Sequence, residues 1–469
     1  MSSTFRGDPP DRPSNTLGDL MDDEDQHDGE ASHSSPGTER ASSGGVSTTV
    51  VLYAAAALIL VAGLIAVVVS GVRQGPSVSA GAVASEKVPV TPEVLPISLS
   101  GSRQFTGPTY GVLGLHATGD KPQSKVWYAG KHWWSVQIEA STQSTHIAKW
   151  LGTRWQDTGV AVDSRPDSLS DVVWQDDTLY IASRTKTEPA LLRRYTFGEG
   201  HWMPKDFQSF PITTAGTRTL SIAVDSQRRI WAVFLQAGQI RVTHSQPDGT
   251  VFSPAAVLPG PNEVQPDDTA AVIAVKGQVA VLWSDQVRSA FRFVIRKDDA
   301  PVDQWRVTKP AATQVRIADG HIKLQAAADG TIYAAIKTSL GDKKFDAPKS
   351  PMLELLVRSP SGTWVRHVAA RTSDQMTRPQ ILLSKDGRTL FWFASSPSVG
   401  GNIYVKVVDT DNITFSPGRG TPLLHHKGDQ INDATVARQP VSPSTGVLVL
   451  ASDRKHGVYH TGFIPFTRR

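Results

Sequence analysis

The chain has 469 residues, with 48 Lys and Arg against 44 Asp and Glu, and it contains no cysteine. That absence excludes disulfides, thiolate metal sites and thiol nucleophiles together. Residues 1–45 hold ten acidic and three basic side chains, which leaves 45 basic and 34 acidic residues beyond them; this mild positive bias suits anionic partners but is not the dense basic stripe of a nucleic-acid binder.

Taken in chain order, the acidic stretch comes first. It carries too few large apolar residues to offset the entropy of ordering its backbone, so residues 1–47 are expected to form a disordered tail. From Val50 to Val69 the chain reads VVLYAAAALILVAGLIAVVV, twenty residues without a charge. A helix of that length spans the hydrocarbon core of a bilayer, and residues 48–72 are predicted to be a transmembrane signal-anchor. The competing reading is a cleaved signal peptide ending at the A-x-A triplet Ala82–Val83–Ala84, but the apolar run is long for one and the triplet lies far beyond it. Arg40 on one flank nearly balances Arg73 and Lys87 on the other, so charge does not set the orientation. The Ser/Pro/Gly-rich segment 73–105 resembles a stalk. The expectation is therefore a single-pass cell-membrane protein with a cytoplasmic tail and its C-terminal domain outside.

From residue 106 to 469 the pattern changes to short β-branched and aromatic runs bounded by Gly, Asp, Asn, Pro and Ser, and the predicted fold class is all-β. A hairpin recurs seven times, marked by Ser141, Ser183, Leu235, Ser284, Thr338, Ser395 and Ser452, at spacings of 42, 52, 49, 54, 57 and 57 residues. These are the lengths of four-stranded propeller blades. Second hairpins such as IRVTHSQPDGTVFS and LELLVRSPSGTWVR supply the remaining strands. A seven-bladed β-propeller follows, with a six-bladed sialidase-like ring as the alternative. The last unit lacks a fourth strand, and Thr109–Ala117 is expected to complete it and close the ring.

Loops that lead into the inner strands and loops that leave the second strands share one face of a propeller. On it the sequence places Arg165, Asp171, Arg218, Asp285, Lys337, Arg378, Asn432, Asp433 and Asp453 as candidate ligand-binding residues, with Asp319 and His321 among the same loops. Arg165, Arg218 and Arg378 stand out, because a guanidinium fork suits a carboxylate or phosphate. Glycoside hydrolysis needs two carboxyl groups at fixed separation, which Asp171, Asp285 and Asp433 could supply. No P-loop, G-x-S-x-G or H-E-x-x-H motif occurs. No catalytic residue, cofactor or metal is therefore assigned, and Asp409, Asp411 and Asn412 are read as a hairpin turn rather than a calcium loop.

The phrases KHWWSV, SRPDSLSDVVWQDDTLYIAS, VAVLWSDQ, HIKLQAAADGTIYAAIKTSLGD, TRPQILLS, GGNIYVK, SPGRGTP and GVLVLASD, spread from about Ser124 to His460, resemble bacterial, actinobacterial-type, membrane-anchored sialidase-like propeller proteins. The resemblance implies the fold and export more than a reaction. The sialidase Asp box is missing, with DSQRRIW at Asp225–Trp231 an echo of it, and no F/Y-R-I-P segment is found. The functional expectation is a non-catalytic binding or scaffolding module for an anionic cell-envelope glycan or an envelope protein, with no nucleic-acid partner. The alternative is a sialidase-like exo-glycosidase or lyase acting on anionic glycans.

Overall fold

The computed structural model describes residues 97–119, 121–247, 249–341, 347–397 and 400–466. Within them thirty strands form seven antiparallel sheets. β1 (Arg103–Thr109) precedes the first blade, which is β2 (Val126–Ala129), β3 (His132–Ile138), β4 (Thr145–Trp150) and β5 (Trp155–Asp163). Blade 2 has β6 (Leu169–Gln175), β7 (Thr178–Arg184) and β8 (Leu191–Gly198), with β9 (His201–Pro204) and β10 (Phe210–Pro211) both pairing with β8. Blade 3 is β11 (Leu220–Val224), β12 (Ile230–Gln236), β13 (Gln239–His244) and β14 (Ala256–Val257). Blade 4 is β15 (Ala270–Val275), β16 (Gln278–Asp285) and β17 (Ala290–Lys297), with β18 (Arg306–Val307) and β19 (Ala312–Thr313) against β17. Blade 5 is β20 (Ile322–Ala326), β21 (Ile332–Lys337), β22 (Pro351–Arg358) and β23 (Trp364–Arg371). Blade 6 is β24 (Thr377–Leu383), β25 (Thr389–Ser396), β26 (Asn402–Asp409) and β27 (Thr421–His425). Blade 7 joins β28 (Ile431–Thr435), β29 (Val447–Asp453) and β30 (Val458–Ile464) to β1.

The fold is a seven-bladed β-propeller. Inner strands β2, β6, β11, β15, β20, β24 and β28 succeed one another around the axis. The burial gradient within a blade explains its sequence. Second strands such as β12 (IWAVFLQ) and β29 (VLVLASD) are buried on both faces between neighbouring blades, so they read as continuous apolar runs. Outer strands such as β23 (WVRHVAAR) are largely exposed and tolerate charge. In blades 1, 2 and 4 two-residue turns join the inner to the second strand. At Asp176–Asp177 both residues have positive φ, 49° and 56°, the geometry that matches strand twist in a tight hairpin.

Ring closure differs from expectation in register. The strand that completes blade 7 is Arg103–Thr109, paired from Arg103 with Phe463 to Thr109 with Val458. It starts inside the expected stalk, and Ile97 is already buried in the core. Residues 110–117 leave the sheet instead, because Tyr110 turns inward and its hydroxyl donates to the carbonyls of Leu115 and Asp453. Phe105 packs edge-on against Trp150 of blade 1 at 5.3 Å, and Trp155 Nε1 donates to Thr461 Oγ1 at 2.8 Å. Blade 7 is thus tied to blade 1 through both its closing strand and β30.

The expected single-pass membrane placement is corrected. Among the described residues no helix is long and apolar enough to cross a membrane. Their apolar side chains are taken up by strands, and the one helical element among them is the single turn Thr372–Asp374. The segment 48–72 on which the expectation rested, the acidic tail 1–47 and the part of the 73–105 stalk up to residue 96 lie outside the described residues.

Candidate functional site

Below the mouth the channel is filled by a polar network rather than left open. Asp171 on β6 is fully buried and accepts backbone N–H groups from Ser124 and Ile222, both at 2.8 Å, so one carboxylate ties blades 1, 2 and 3. Arg438 completes it as an ion pair. Lys125 Nζ donates to Gln123 Oε1 at 2.7 Å and to the Ser170 carbonyl at 2.9 Å. Lys323 Nζ donates to the Gln123 carbonyl at 2.9 Å, and burial, then the charge of Arg438, pushes its ammonium well below the usual lysine range.

Above this plug lies a shallow cleft lined in part by Thr118, Lys121, His321, Arg378, Gln380 and Asp433. Two adjacent inner strands present its central ion pair in the same way. β24 breaks register between Thr377 and Gln380 and β28 between Asn432 and Thr435, and each break carries a non-glycine residue in left-handed backbone, Arg378 at φ 53° and Asp433 at φ 52°. Such a bulge re-aims a side chain that regular pleating would send elsewhere, and the left-handed residue is strained by about 1–3 kcal/mol. Arg378 Nε then lies 2.7 Å from Asp433 Oδ1. His116, which arrives from the segment after β1, places Nδ1 at 2.5 Å from Asp433 Oδ2, and Arg454 Nη1 approaches its Nε2 at 3.4 Å.

A second cluster comes from blade 5. Lys337 Nζ lies 2.5 Å from Asp319 Oδ2, and His321 Nδ1 contacts the other carboxylate oxygen. The chain must pass very close to blade 4 here: a Cβ on Gly320 would sit 2.0 Å from the Asp267 carbonyl, so only glycine fits. Burial, then the charge of Lys121, pushes the His321 imidazole down to about 3, against the pull of Asp319. The ring is therefore neutral at physiological pH. With Nδ1 on Asp319, its buried Nε2 is an acceptor with no partner among the described residues. Burial pushes the Asp319 and Asp433 carboxyls up, but Lys337 and His321 on one and Arg378 and His116 on the other outweigh it and hold both well below the usual carboxylate range.

The structure thus gathers three of the nine sequence candidates, Arg378, Asp433 and Lys337, at one mouth. The rest serve elsewhere. Arg165 is locked against Asp163 at 2.7 Å and donates to the Pro189 carbonyl at 2.7 Å. Asp171 is the clamp inside the channel, and Asp285 is buried beneath Arg292 at 2.9 Å. Arg218 is exposed and does not line the cleft. Asn432 is buried beside the Arg378–Asp433 pair in sequence, with neither side-chain atom partnered among the described residues. Asp453 belongs to a separate cluster in blade 7. Asp171, Asp285 and Asp433, which could have supplied acids, are each bound by a different arginine. The DTDN turn is a turn, with Asp411 N–H donating to Asp409 Oδ1 at 2.8 Å. The Asp225 echo is also structural: its carboxylate accepts N–H groups from Gln227 and Arg229 and the Trp231 indole at 2.9 Å each. Sequence reasoning missed Lys121 and His116, which precede the first blade and carry no repeat signal.

No protein-family model matches the chain, and no curated protein matches it. Among solved structures, the polysaccharide lyase Uly1 is similar at 6% identity and TM-score 0.46, over 73% of this chain and 90% of that one. The SapL1 lectin in complex with alpha methyl fucoside is similar at 14% identity and TM-score 0.41, over 61% and 88%. The WD40 domain of Toxoplasma gondii coronin is similar at 7% identity and TM-score 0.47, over 80% and 89%. At such identities and scores no chemistry carries over from these neighbours, and the propeller assignment rests on the strand pairing of this chain.

Proposed function

We propose that the propeller is a non-catalytic binding domain for a carboxylate-bearing glycan, which it engages at the channel mouth. Among the described residues Lys121, Lys337, Arg378 and Arg454 surround two carboxylates, Asp319 and Asp433, and both carboxylates are already held in ion pairs. Cations gathered at a cleft suit an anion, and the acceptor on His321, unpartnered among the described residues, suits a sugar hydroxyl. The same pairing speaks against glycoside hydrolysis. A general acid needs a raised carboxyl pKa, whereas both carboxyls here are depressed.

The test is binding of the purified chain to polyuronic, sialylated and neutral glycans by calorimetry. Carboxylated glycans bind, salt weakens them, and Lys121→Ala, at a half-buried position outside the ion pairs described here, lowers affinity about tenfold. Equal binding of neutral glycans, or no effect of Lys121→Ala, would remove the proposal.

One observation favours a second reading, a lyase. The His116–Asp433 pair orients an imidazole through Nδ1, as a general base requires. Appearance of an unsaturated sugar end during incubation with a polyuronate, lost in His116→Gln, would replace binding with turnover.

A further inference from the structure

We propose that Asp429, Asp453 and His460 form a site for one divalent transition-metal ion, zinc by its donor set, with His456 as fourth ligand. The site lies in blade 7, apart from the cleft. One ligand atom from each of the three lies within 4.8 Å of the others. His456 Nδ1 is 2.6 Å from Asp453 Oδ2 and 3.3 Å from Asp429 Oδ1. Tetrahedral zinc, with bonds of about 2.0–2.1 Å to nitrogen and oxygen, sets its ligands about 3.3 Å apart. Small side-chain adjustments therefore suffice.

His460 points to an ion rather than to a plain hydrogen-bonded network. It is 1% exposed, yet neither ring nitrogen has a hydrogen-bond partner among the described residues, and Nε2 faces Asp429 Oδ2 at 3.5 Å. A buried imidazole without hydrogen bonds is expensive, and a metal bond removes that penalty. The supporting shell is in place. Asp453 Oδ1 accepts the N–H groups of Gln430 at 3.0 Å and Lys455 at 2.9 Å, which turns Oδ2 towards the cluster. Lys455 Nζ is occupied by the Gly428 carbonyl at 2.6 Å and does not compete for the carboxylates. The imidazole and carboxylate donors favour zinc over calcium or magnesium, which prefer all-oxygen shells. His456, with 47% of its side chain exposed, gives the ion a path from solvent.

Asp429 lies in the loop before β28, Asp453 ends β29 and His460 is on β30, so one ion would pin two strands and a loop of the blade that closes the ring. It would also steady the next residue, Arg454, whose Nε donates to Gln430 Oε1 at 3.1 Å and whose Nη1 reaches His116.

The full chain, stripped with a chelator, is titrated with zinc by calorimetry and with cobalt in visible absorption. The expected result is one zinc per chain with micromolar or tighter affinity, an intense four-coordinate cobalt band, and a raised melting temperature that calcium does not reproduce. His460→Gln and Asp429→Asn each weaken zinc by about 100-fold, while His201→Gln, at an exposed position outside the cluster, leaves it unchanged. If His460→Gln does not fold, Asp429→Asn at its partly exposed position decides. Absence of stoichiometric zinc, or full retention of it by Asp429→Asn, overturns the site.

Discussion

Asp268, in the loop that leads into blade 4, shows how much a single buried carboxylate matters here. It is fully buried, its Oδ2 accepts the N–H of Gln265 at 2.8 Å, and its Oδ1 has no partner among the described residues. Burial pushes its carboxyl up to about 6, and the hydrogen bonds from Ser284, Gln265 and Gln286 offset only part of that. A carboxyl whose folded pKa lies above its unfolded value of about 3.9 destabilises the fold when ionised, and the penalty fades as pH falls through 6 towards 4. Asp268→Asn is expected to stabilise the chain by about 1–3 kcal/mol at pH 7, with the gap closing near pH 4, as read from urea midpoints. A less stable variant at pH 7 would mean that the charge is compensated after all. Asp433 is the opposite case, a buried carboxylate that its cations keep ionised, and nothing in the local sequence distinguishes the two. Both are aspartates in polar loops before or within an inner strand. The partner that decides between them, Arg378 for Asp433, is supplied by the neighbouring blade.

Among the elements, β1 is the one on which closure depends. It covers the edge of β30, which otherwise offers unpaired backbone groups to solvent and to other chains. A chain beginning at Tyr110 is expected to melt at a lower temperature and to aggregate, and a synthetic peptide of residues 97–109 added in trans is expected to restore the melting temperature by adding back the strand. A truncated chain as stable as the parent would show that the ring closes without β1. The sequence made hairpins legible because their turns and apolar runs are local signals, and the second strands were readable almost residue by residue. The closing strand was placed too late in the chain for a physical reason. RQFTGPT is polar and only partly buried, as an outer strand can be, whereas the more apolar TYGVLGLHA looks like a strand but spends Tyr110 and Leu115 on a turn packed against blade 7. The bulges at Arg378 and Asp433 had no sequence signal, since neither position holds the glycine that a left-handed backbone usually recruits.

Summed over the molecule, the buried groups predict acid sensitivity well above the range of ordinary carboxylates. Burial pushes His321 down to about 3 and, in the metal-free chain, His460 down to about 4, each with a lesser push from a neighbouring cation or imidazole. A histidine whose folded pKa is depressed contributes stability that is complete above its unfolded value of about 6.5 and is lost as pH falls below it. Asp268 acts in the reverse sense between about 6 and 4. For His321, His460 and Asp268 alone, two protons gained against one released leaves a net uptake of about one on unfolding, or about 1.4 kcal/mol lost per pH unit from pH 6 to 5. Asp319 and Asp433 add their share only below about 4, where unfolded carboxylates protonate. Urea midpoints in the presence of a chelator test the slope, and His321→Gln is expected to flatten it. Stability that holds or rises down to pH 5 in the parent chain would refute the sum.

The amino-acid sequence alone determined the all-β class, the seven-fold repeat and the single ring, because hairpin periodicity and turn chemistry act over a dozen residues and a lone blade cannot cover its own faces. From the sequence the polar loops were expected to share one face. Tertiary structure decided which of those loops meet. Asp171 became a clamp through backbone groups of blades 1 and 3, Asp285 became an internal ion pair, and Asp433 met Arg378 of the neighbouring blade and His116 from 317 residues away. Those contacts depend on how far each blade turns about the axis and on where two strands bulge, and both are set by packing between blades rather than by any stretch of chain that can be read by itself.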